Sequence, residues 1–293
     1  MTRPILVTGG SGQLATALAT QGGDRIRLAG RPAFDFDRPE TIAASFHAAD
    51  PWLVVNAAAY TAVDAAETDE AAALCANRDG PAELARLCAN AGIPLIHVST
   101  DYVYDGDKPT PYVETDPVAP RSVYGASKLA GETAILASGA HAITLRTAWV
   151  YAATGRNFVR TMLNLAQTRD TLRVVADQRG CPTAAADLAA AILAIAARIE
   201  ATGWTDSYAG IFHAAGTGEA TWYDLAVAVF EAASRHGAKV PALVPITTAE
   251  YPTPARRPAN SRLDCTRLET TFGIRLPHWR DSLARTIDEI FAA

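Results

Sequence analysis

The chain has 293 residues, 49% of them hydrophobic, and a formal net charge of −5. That length and apolar content can build a full core without metal or disulfide staples, as one large α/β domain or a domain with a smaller companion. The acidic balance excludes the basic face that nucleic-acid binding needs.

In chain order, Pro4–Gly9 reads as a buried strand, Gln13–Gln21 as a helix and Arg25–Ala29 as a second strand. Ala33–Phe36 is expected as a third strand, followed by a helix over Arg38–Ala48 and a strand over Trp52–Asn56. The Ala-rich stretch Glu67–Ala91 reads as one long helix with Leu74, Leu84 and Leu87 on its apolar side. Pro94–Ser99 is a strand, Ser122–Ala137 a helix and Ala142–Thr147 a strand. Beyond residue 150 the pattern loosens. Helices are expected over Asn157–Gln167, Ala186–Glu200, Trp222–His236 and Asp281–Phe291, and strands over Leu172–Val175 and Ile211–Ala215. Pro241 to Pro258 is a Pro-rich connection.

Short apolar strands alternating with longer helices predict a Rossmann-type doubly wound parallel sheet with helices on both faces. Residues 1–150 are expected to form the dinucleotide-binding domain. Residues 151–293 should form a smaller, mainly substrate-binding lobe, with segments returning to the main sheet. Cys75, Cys88, Cys181 and Cys265 form no CxxC pair and match no zinc spacing, so they read as reduced thiols of a cytoplasmic protein, with no metal. The N-terminus lacks signal-peptide architecture, and the apolar stretch Leu188–Ile199 is too short for a membrane span.

The first strand runs into Thr8-Gly9-Gly10-Ser11-Gly12-Gln13-Leu14-Ala15. Gly9 and Gly12 permit a sharp turn and close approach of backbone to a pyrophosphate, and Ala15 is small enough for helix–strand packing. The helix start then offers its N–H groups to the anion. An acidic residue at the end of the second strand would favour NAD, but this chain has Ala29-Gly30-Arg31 there. Arg31 suits a 2′-phosphate, so NADP(H) is the expected cofactor and NAD(H) the second candidate. The alternative for Arg31 is an ordinary solvated loop charge.

Tyr124-Gly125-Ala126-Ser127-Lys128 places Tyr and Lys one helical turn apart, in a chain with only three lysines. A neighbouring ammonium favours the phenolate, which lets the tyrosine exchange a proton with a substrate oxygen. Lys128 can also bond a nicotinamide ribose. Thr100 closes the strand Leu95–Ser99, where ligands bind in parallel sheets, and can steady a developing alkoxide. A surface coincidence for the pair and a turn residue for Thr100 are the plainer alternatives.

Together these residues resemble the extended short-chain dehydrogenase/reductase superfamily. Within it, the segments Val54–Asp64, Ser99–Gly106, Asp177–Thr183 with Asp187-Leu188-Ala189, Arg256–Ser261 and Trp279 look like the signature of the dTDP-4-dehydrorhamnose reductases, over essentially the whole chain. The resemblance implies NADPH-dependent reduction of the C4 keto group of dTDP-6-deoxy-L-lyxo-4-hexulose to dTDP-L-rhamnose. Tyr124 would protonate the C4 oxygen, with Lys128 tuning it and Thr100 orienting it. Gly12, Gln13 and Leu14 would contact the cofactor, Asp35 and Phe36 would lie by its adenine, and Ala57, Ala58 and Ala59 would run along it. Thr100, Asp101, Tyr102 and Trp149 would contact the nucleotide sugar. Arg256 and Arg257 suit its diphosphate, because guanidinium binds phosphate bidentately. Some members of the family dimerise through magnesium held by glutamates. Here Ala184-Ala185-Ala186 precedes Asp187, so a monomer or weak homodimer without that metal is expected. Two rivals stay open: another nucleotide-sugar 4-ketoreductase or epimerase, and a catalytically silent NADP-binding regulatory subunit of the methionine adenosyltransferase type.

Overall fold

The apolar runs near the N-terminus carry no polar alternation, which suits strands covered on both faces. In the computed structural model, which describes residues 3–292, they form a six-stranded parallel sheet. β1 (Ile5–Thr8) leads through α1 (Gln13–Gly22) to β2 (Ile26–Ala29), and α2 (Pro39–Ala49) leads to β3 (Leu53–Asn56). Three helical pieces follow, α3 (Val63–Ala66), α4 (Glu70–Leu74) and α5 (Gly80–Ala91), then β4 (Leu95–Thr100), α6 (Val123–Ala137) and β5 (Ala142–Thr147). Next come β6 (Val150–Tyr151), α7 (Phe158–Thr168), β7 (Thr171–Val175), β8 (Arg179–Gly180), β9 (Thr183–Ala184) and α8 (Ala185–Thr202). β10 (Gly210–His213) then pairs with β5 as the sixth strand of the sheet. β11 (Ala220–Thr221), α9 (Trp222–Ser234), β12 (Ala242–Ile246), β13 (Asn260–Ser261), α10 (Thr266–Phe272) and α11 (Trp279–Ala292) complete the chain.

The strand order is β2-β1-β3-β4-β5-β10. The chain leaves β1 toward β2 on one side and returns to β3 on the other, so the loops after β1 and β3 part and open a crevice at the strand ends. Ile5 and Val7 point to Leu14 and Leu18 of α1 and to Leu188 and Ile192 of α8. Leu6 and Val54 point the other way, toward Ile42, Leu84 and Ile135 of α2, α5 and α6. Each such side chain contributes about 1.5–3 kcal/mol by leaving water. A second core joins Val159 and Met162 of α7, Leu172 of β7, Phe230 of α9 and Leu283 of α11. Leu188, Phe212 and Phe272, though beyond residue 150, belong to the first core. No helix among the described residues is long and apolar enough to cross a membrane.

Three expectations fail locally. Ala33–Phe36 is a turn and not a strand. The Phe34 N–H bonds to Gly30 O at 3.0 Å and the Asp35 N–H to Thr41 Oγ1 at 2.9 Å, so these donors close a local turn and not a sheet ladder. Phe34 and Phe36 are both buried, which imitates strand alternation. The long helix over Glu67–Ala91 is broken. Glu67 ends α3, and its carboxylate accepts the Val123 N–H at the start of α6 at 2.9 Å. A π-helical turn at Cys75–Asp79 then separates α4 from α5. Finally, the Pro-rich stretch contains β12, which pairs with β7. It is an edge strand, where Pro245 is tolerated because one side needs no ladder bonds.

A buried ion pair fixes α6 to β5. Arg146 donates to both oxygens of Glu132 at 3.0 and 2.6 Å, and the two side chains are 2% and 4% exposed. Ser99 also donates to Glu132, and Arg146 donates to the Tyr104 hydroxyl at 2.7 Å. Arg146→Met strands a carboxylate and should cost about 3–5 kcal/mol in denaturant unfolding. Adding Glu132→Leu should recover most of that loss. Equal losses in the single and double variants would show that the two charges are not coupled.

Candidate active site

The glycine turn between β1 and α1 lies at the crevice. Gly9 has φ +107°, a conformation that side chains rarely adopt, and a Cβ there would sit 3.0 Å from the Ala57 backbone. Gly10 packs as closely against Gly30, so the turn lies flush against the ends of β2 and β3. Gly12 caps α1 with no side-chain acceptor, and the first turn has no acidic residue, so its N–H groups are free for an anion. The Gln13 side chain is occupied by Asn157, whose Nδ2 donates to its Oε1 at 2.9 Å. The Leu14 side chain points into the core. The backbone of Gln13 and Leu14 therefore carries what these residues offer a phosphate. Ala57, Ala58 and Ala59 line the start of the loop after β3, each half-buried.

Arg31 stands at the end of β2 but is engaged. It donates to Asp35 at 2.8 Å and to Asp37 at 2.5 Å. Both carboxylates hold its proton more firmly, the Asp35 hydrogen bond first. The side chain is two-thirds exposed, where such pairs are worth about 0–1 kcal/mol and exchange readily for another anion. Phe36 is buried against Gly80, so only part of that segment can meet a ligand.

At the carboxyl end of β4 the hydroxyl of Thr100 lies against the phenol of Tyr124. Ser122 caps α6 by accepting the Gly125 N–H at 3.1 Å. Gly125 lets the helix approach the Tyr102 carbonyl, where a Cβ would overlap it. Tyr102 meets Tyr124 edge to face, with centroids 5.5 Å apart. Burial pushes the Tyr124 phenol well above its ordinary value; Thr100 opposes this, and Asp101 and Tyr102 add to it. The expected tuning by Lys128 is not among these influences. The amine of Lys128 instead donates to Val98 O at 2.7 Å and lies 3.4 Å from His97 Nε2. Burial brings it down to about 8, against the pull of Glu132. The site thus keeps Tyr124 as a neutral phenol, the form that donates a proton.

Thr100 donates to Asp101 Oδ1 at 3.0 Å and accepts the Tyr102 N–H at 3.2 Å. The other Asp101 oxygen has no partner among the described residues, nor do the Thr147 and Ser261 hydroxyls, and all three are buried. Ser261 lies within reach of Asp101, and Thr147 is the β5 partner of Thr100. Unpaired buried polar atoms at one place are groups awaiting a partner. Sequence reasoning singled out neither Thr147 nor the role of Ser261; a hydroxyl one strand over from Thr100 is visible only through the register. Trp149 has φ 50° and stacks on Trp222 at 3.5 Å and 8°. Gly180 leaves room for its ring. Arg257 donates to Asp64 at 2.8 Å and to the Tyr102 hydroxyl at 3.2 Å, joining the last third of the chain to the first turn of α3. Arg256 is exposed and reaches only Asp107, at 3.8 Å.

Residues 2–291 match the family model described as RmlD substrate binding domain. The chain is 49% identical over 285 residues to a dTDP-4-dehydrorhamnose reductase of Sinorhizobium fredii, covering 97% of this chain and 96% of the relative. It is 45% identical to one of Burkholderia thailandensis, over 98% and 99% of the two chains. Among solved structures, dTDP-4-dehydrorhamnose reductase from Bacillus anthracis in complex with NADP superposes with a TM-score of 0.89. That match has 32% identity and covers 99% of this chain and 100% of the other.

Asp101 gives a pH test of the site. Burial raises its carboxyl to about 6, above the value near 4 that it has in an unfolded chain. Its contribution to stability is therefore fully present below about pH 4 and is lost as pH rises through about 6. Asp101→Asn cannot titrate. Its unfolding free energy, measured against the wild type, should improve by about 2–3 kcal/mol between pH 4 and pH 7. A pH-independent difference would show that this carboxyl does not titrate in that range.

Proposed function

Because this chain belongs to the dTDP-4-dehydrorhamnose reductase family, we propose that it reduces the C4 keto group of dTDP-6-deoxy-L-lyxo-4-hexulose with NADPH, giving dTDP-L-rhamnose. The observation that carries the reading is a buried, neutral Tyr124 phenol set against Thr100, at the same carboxyl edge of the parallel sheet as the glycine turn after β1.

The fit of a dinucleotide rests on the cradle itself. Only glycine at position 9 lets the turn lie against the Ala57 backbone, and the first N–H groups of α1 have no side-chain cap, which leaves them for an anion. NADPH supplies the hydride that reaches C4. The backbone at Gly12–Leu14 holds the pyrophosphate, Ala57–Ala59 flank the length of the cofactor, and Asp35 lies by the adenine with Phe36 packed beneath it in the core. Arg31 takes the 2′-phosphate by exchanging its two carboxylate partners. This sets a preference for NADP(H) while leaving NAD(H) usable. Lys128 donates to the ribose, and Tyr124 donates its proton to the C4 oxygen. At rest Thr100 gives its hydrogen to Asp101 and accepts the Tyr102 N–H, which leaves one lone pair to orient the phenol. The free oxygen of Asp101 receives a sugar hydroxyl. Tyr102 and Trp149 wall the sugar, and Arg257 receives the diphosphate by releasing Asp64.

The Asp187 carboxylate is held by Ser282 and by Arg285, the latter at 2.8 Å. It is thus committed within the chain, which supports a monomer or weak homodimer without a shared metal. The reaction is placed in the cytoplasm, where nucleotide sugars and NADPH are supplied.

The purified protein should oxidise NADPH only when a 4-keto sugar nucleotide is added, and the product should be the 6-deoxy-L-sugar nucleotide. Cofactor binding without turnover on any such substrate would favour the silent regulatory reading. Tyr124→Phe should lower kcat by about 10²–10⁴-fold with cofactor affinity nearly unchanged. Arg257→Ala should raise KM for the sugar nucleotide at least about tenfold while kcat moves little. An unchanged KM removes Arg257 from the binding site.

A further inference from the structure

Thr8 and Asn56 close β1 and β3, His97 lies in the middle of β4 as the cross-strand neighbour of Asn56, and all three are essentially inaccessible to water. Polar groups buried this far must satisfy one another, so their orientations can be read from the donors. The Ala58 N–H at 3.2 Å and the Thr8 hydroxyl at 2.6 Å both donate to Asn56 Oδ1. That fixes the amide, and its Nδ2, a donor only, faces His97 Nδ1 at 2.9 Å. Nδ1 is therefore the acceptor of the ring, and the ring hydrogen sits on Nε2. Nε2 in turn faces the nitrogen of Lys128 at 3.4 Å. An ammonium has three donors and no acceptor, so it would set one N–H against another here. A neutral amine presents a lone pair to Nε2–H and still donates to Val98 O.

We propose that His97 is a positioning residue for Lys128: its Nε2–H, fixed by Asn56, faces the lysine nitrogen and favours the uncharged amine over the ammonium. The inference deepens the reductase reading, in which Lys128 works as a donor. Burial acts in the same direction, and it also keeps His97 itself a neutral ring. The charged group that opposes it is Glu132, one turn further along α6, and Arg146 and Ser99 already engage that carboxylate. Tyr124, one turn before Lys128, is un-ionised. A chain of hydrogen bonds thus runs from the residue preceding the glycine turn, through Asn56 and His97, to the lysine.

Two measurements test this. Long-range ¹H–¹⁵N spectra of the wild type should show His97 as a single neutral tautomer protonated on Nε2 between pH 6 and pH 9. A hydrogen on Nδ1, or an imidazolium, overturns the proposal. In the pH profile of kcat/KM, activity should fall on the alkaline side as Lys128 loses its proton. His97→Phe removes the opposing N–H, and His97→Gln can turn a carbonyl oxygen toward an ammonium. Both should move that alkaline limb upward by about one pH unit. A uniform fall in kcat with the limb unmoved would mean that His97 only fills space. If either variant fails to fold, the spectra of the wild type still decide. They require no turnover: the Nε2 tautomer in a protein that reduces no 4-keto sugar nucleotide would sink the reductase reading and leave the hydrogen-bond chain standing.

Discussion

Asn56, His97 and Arg146 on the central strands and Lys128 and Glu132 on α6 all lie beneath the surface. Each is tolerated there only because another protein group satisfies it, since an unpaired polar group out of water costs several kcal/mol. This requirement ties the fold to the chemistry. α6 cannot slide along β4 and β5 without breaking the Glu132–Arg146 pair, and Tyr124 and Lys128 ride on that helix. The crevice at the strand ends follows from topology, but the placement of the phenol within it follows from these buried bonds.

The same requirement explains why the last third of the chain does not form a separate body. β10 completes the sheet, and α8 covers the face that α1 leaves open. His213 at the end of β10 meets the Tyr104 hydroxyl at 2.7 Å, and Tyr104 stacks on Tyr112. Arg146 of β5 also reaches Tyr104, so side chains from three distant stretches of sequence meet there. Ser261 and Arg257 reach the crevice from β13 and the turn before it.

What the sequence reveals follows from how local each interaction is. β1, β3, β4 and β5 are unbroken apolar runs because both of their faces are covered, and they were legible to within a residue or two. β12 was not, because an edge strand with Pro245 and mixed exposure has no such pattern. The Ala-rich composition hid the π-helical turn, whose main trace is Gly80-Pro81 at the start of α5. In the site, Tyr124, Lys128 and Thr100 could be read because helix spacing and strand ends are local features. The partners of Arg257 and His97 could not. Asp64 lies 193 residues from Arg257, and the Asn56–His97 contact is set by strand register. The Arg31 pairs were missed for another reason: Asp35 was read as an adenine neighbour and not as an acceptor.

Arg31, Asp35 and Asp37 share none of the buried bonds that hold the phenol and the lysine, and they stand at the rim of β2, with Arg31 and Asp37 largely exposed. A few substitutions among them alter the charge met by the far end of a dinucleotide without disturbing packing beneath the reacting atoms. On the assignment proposed above, cofactor choice and chemistry are therefore separable in this architecture. Lineages sharing the scaffold are free to drift between two hydride carriers as their metabolism changes, with selection on the catalytic floor left intact.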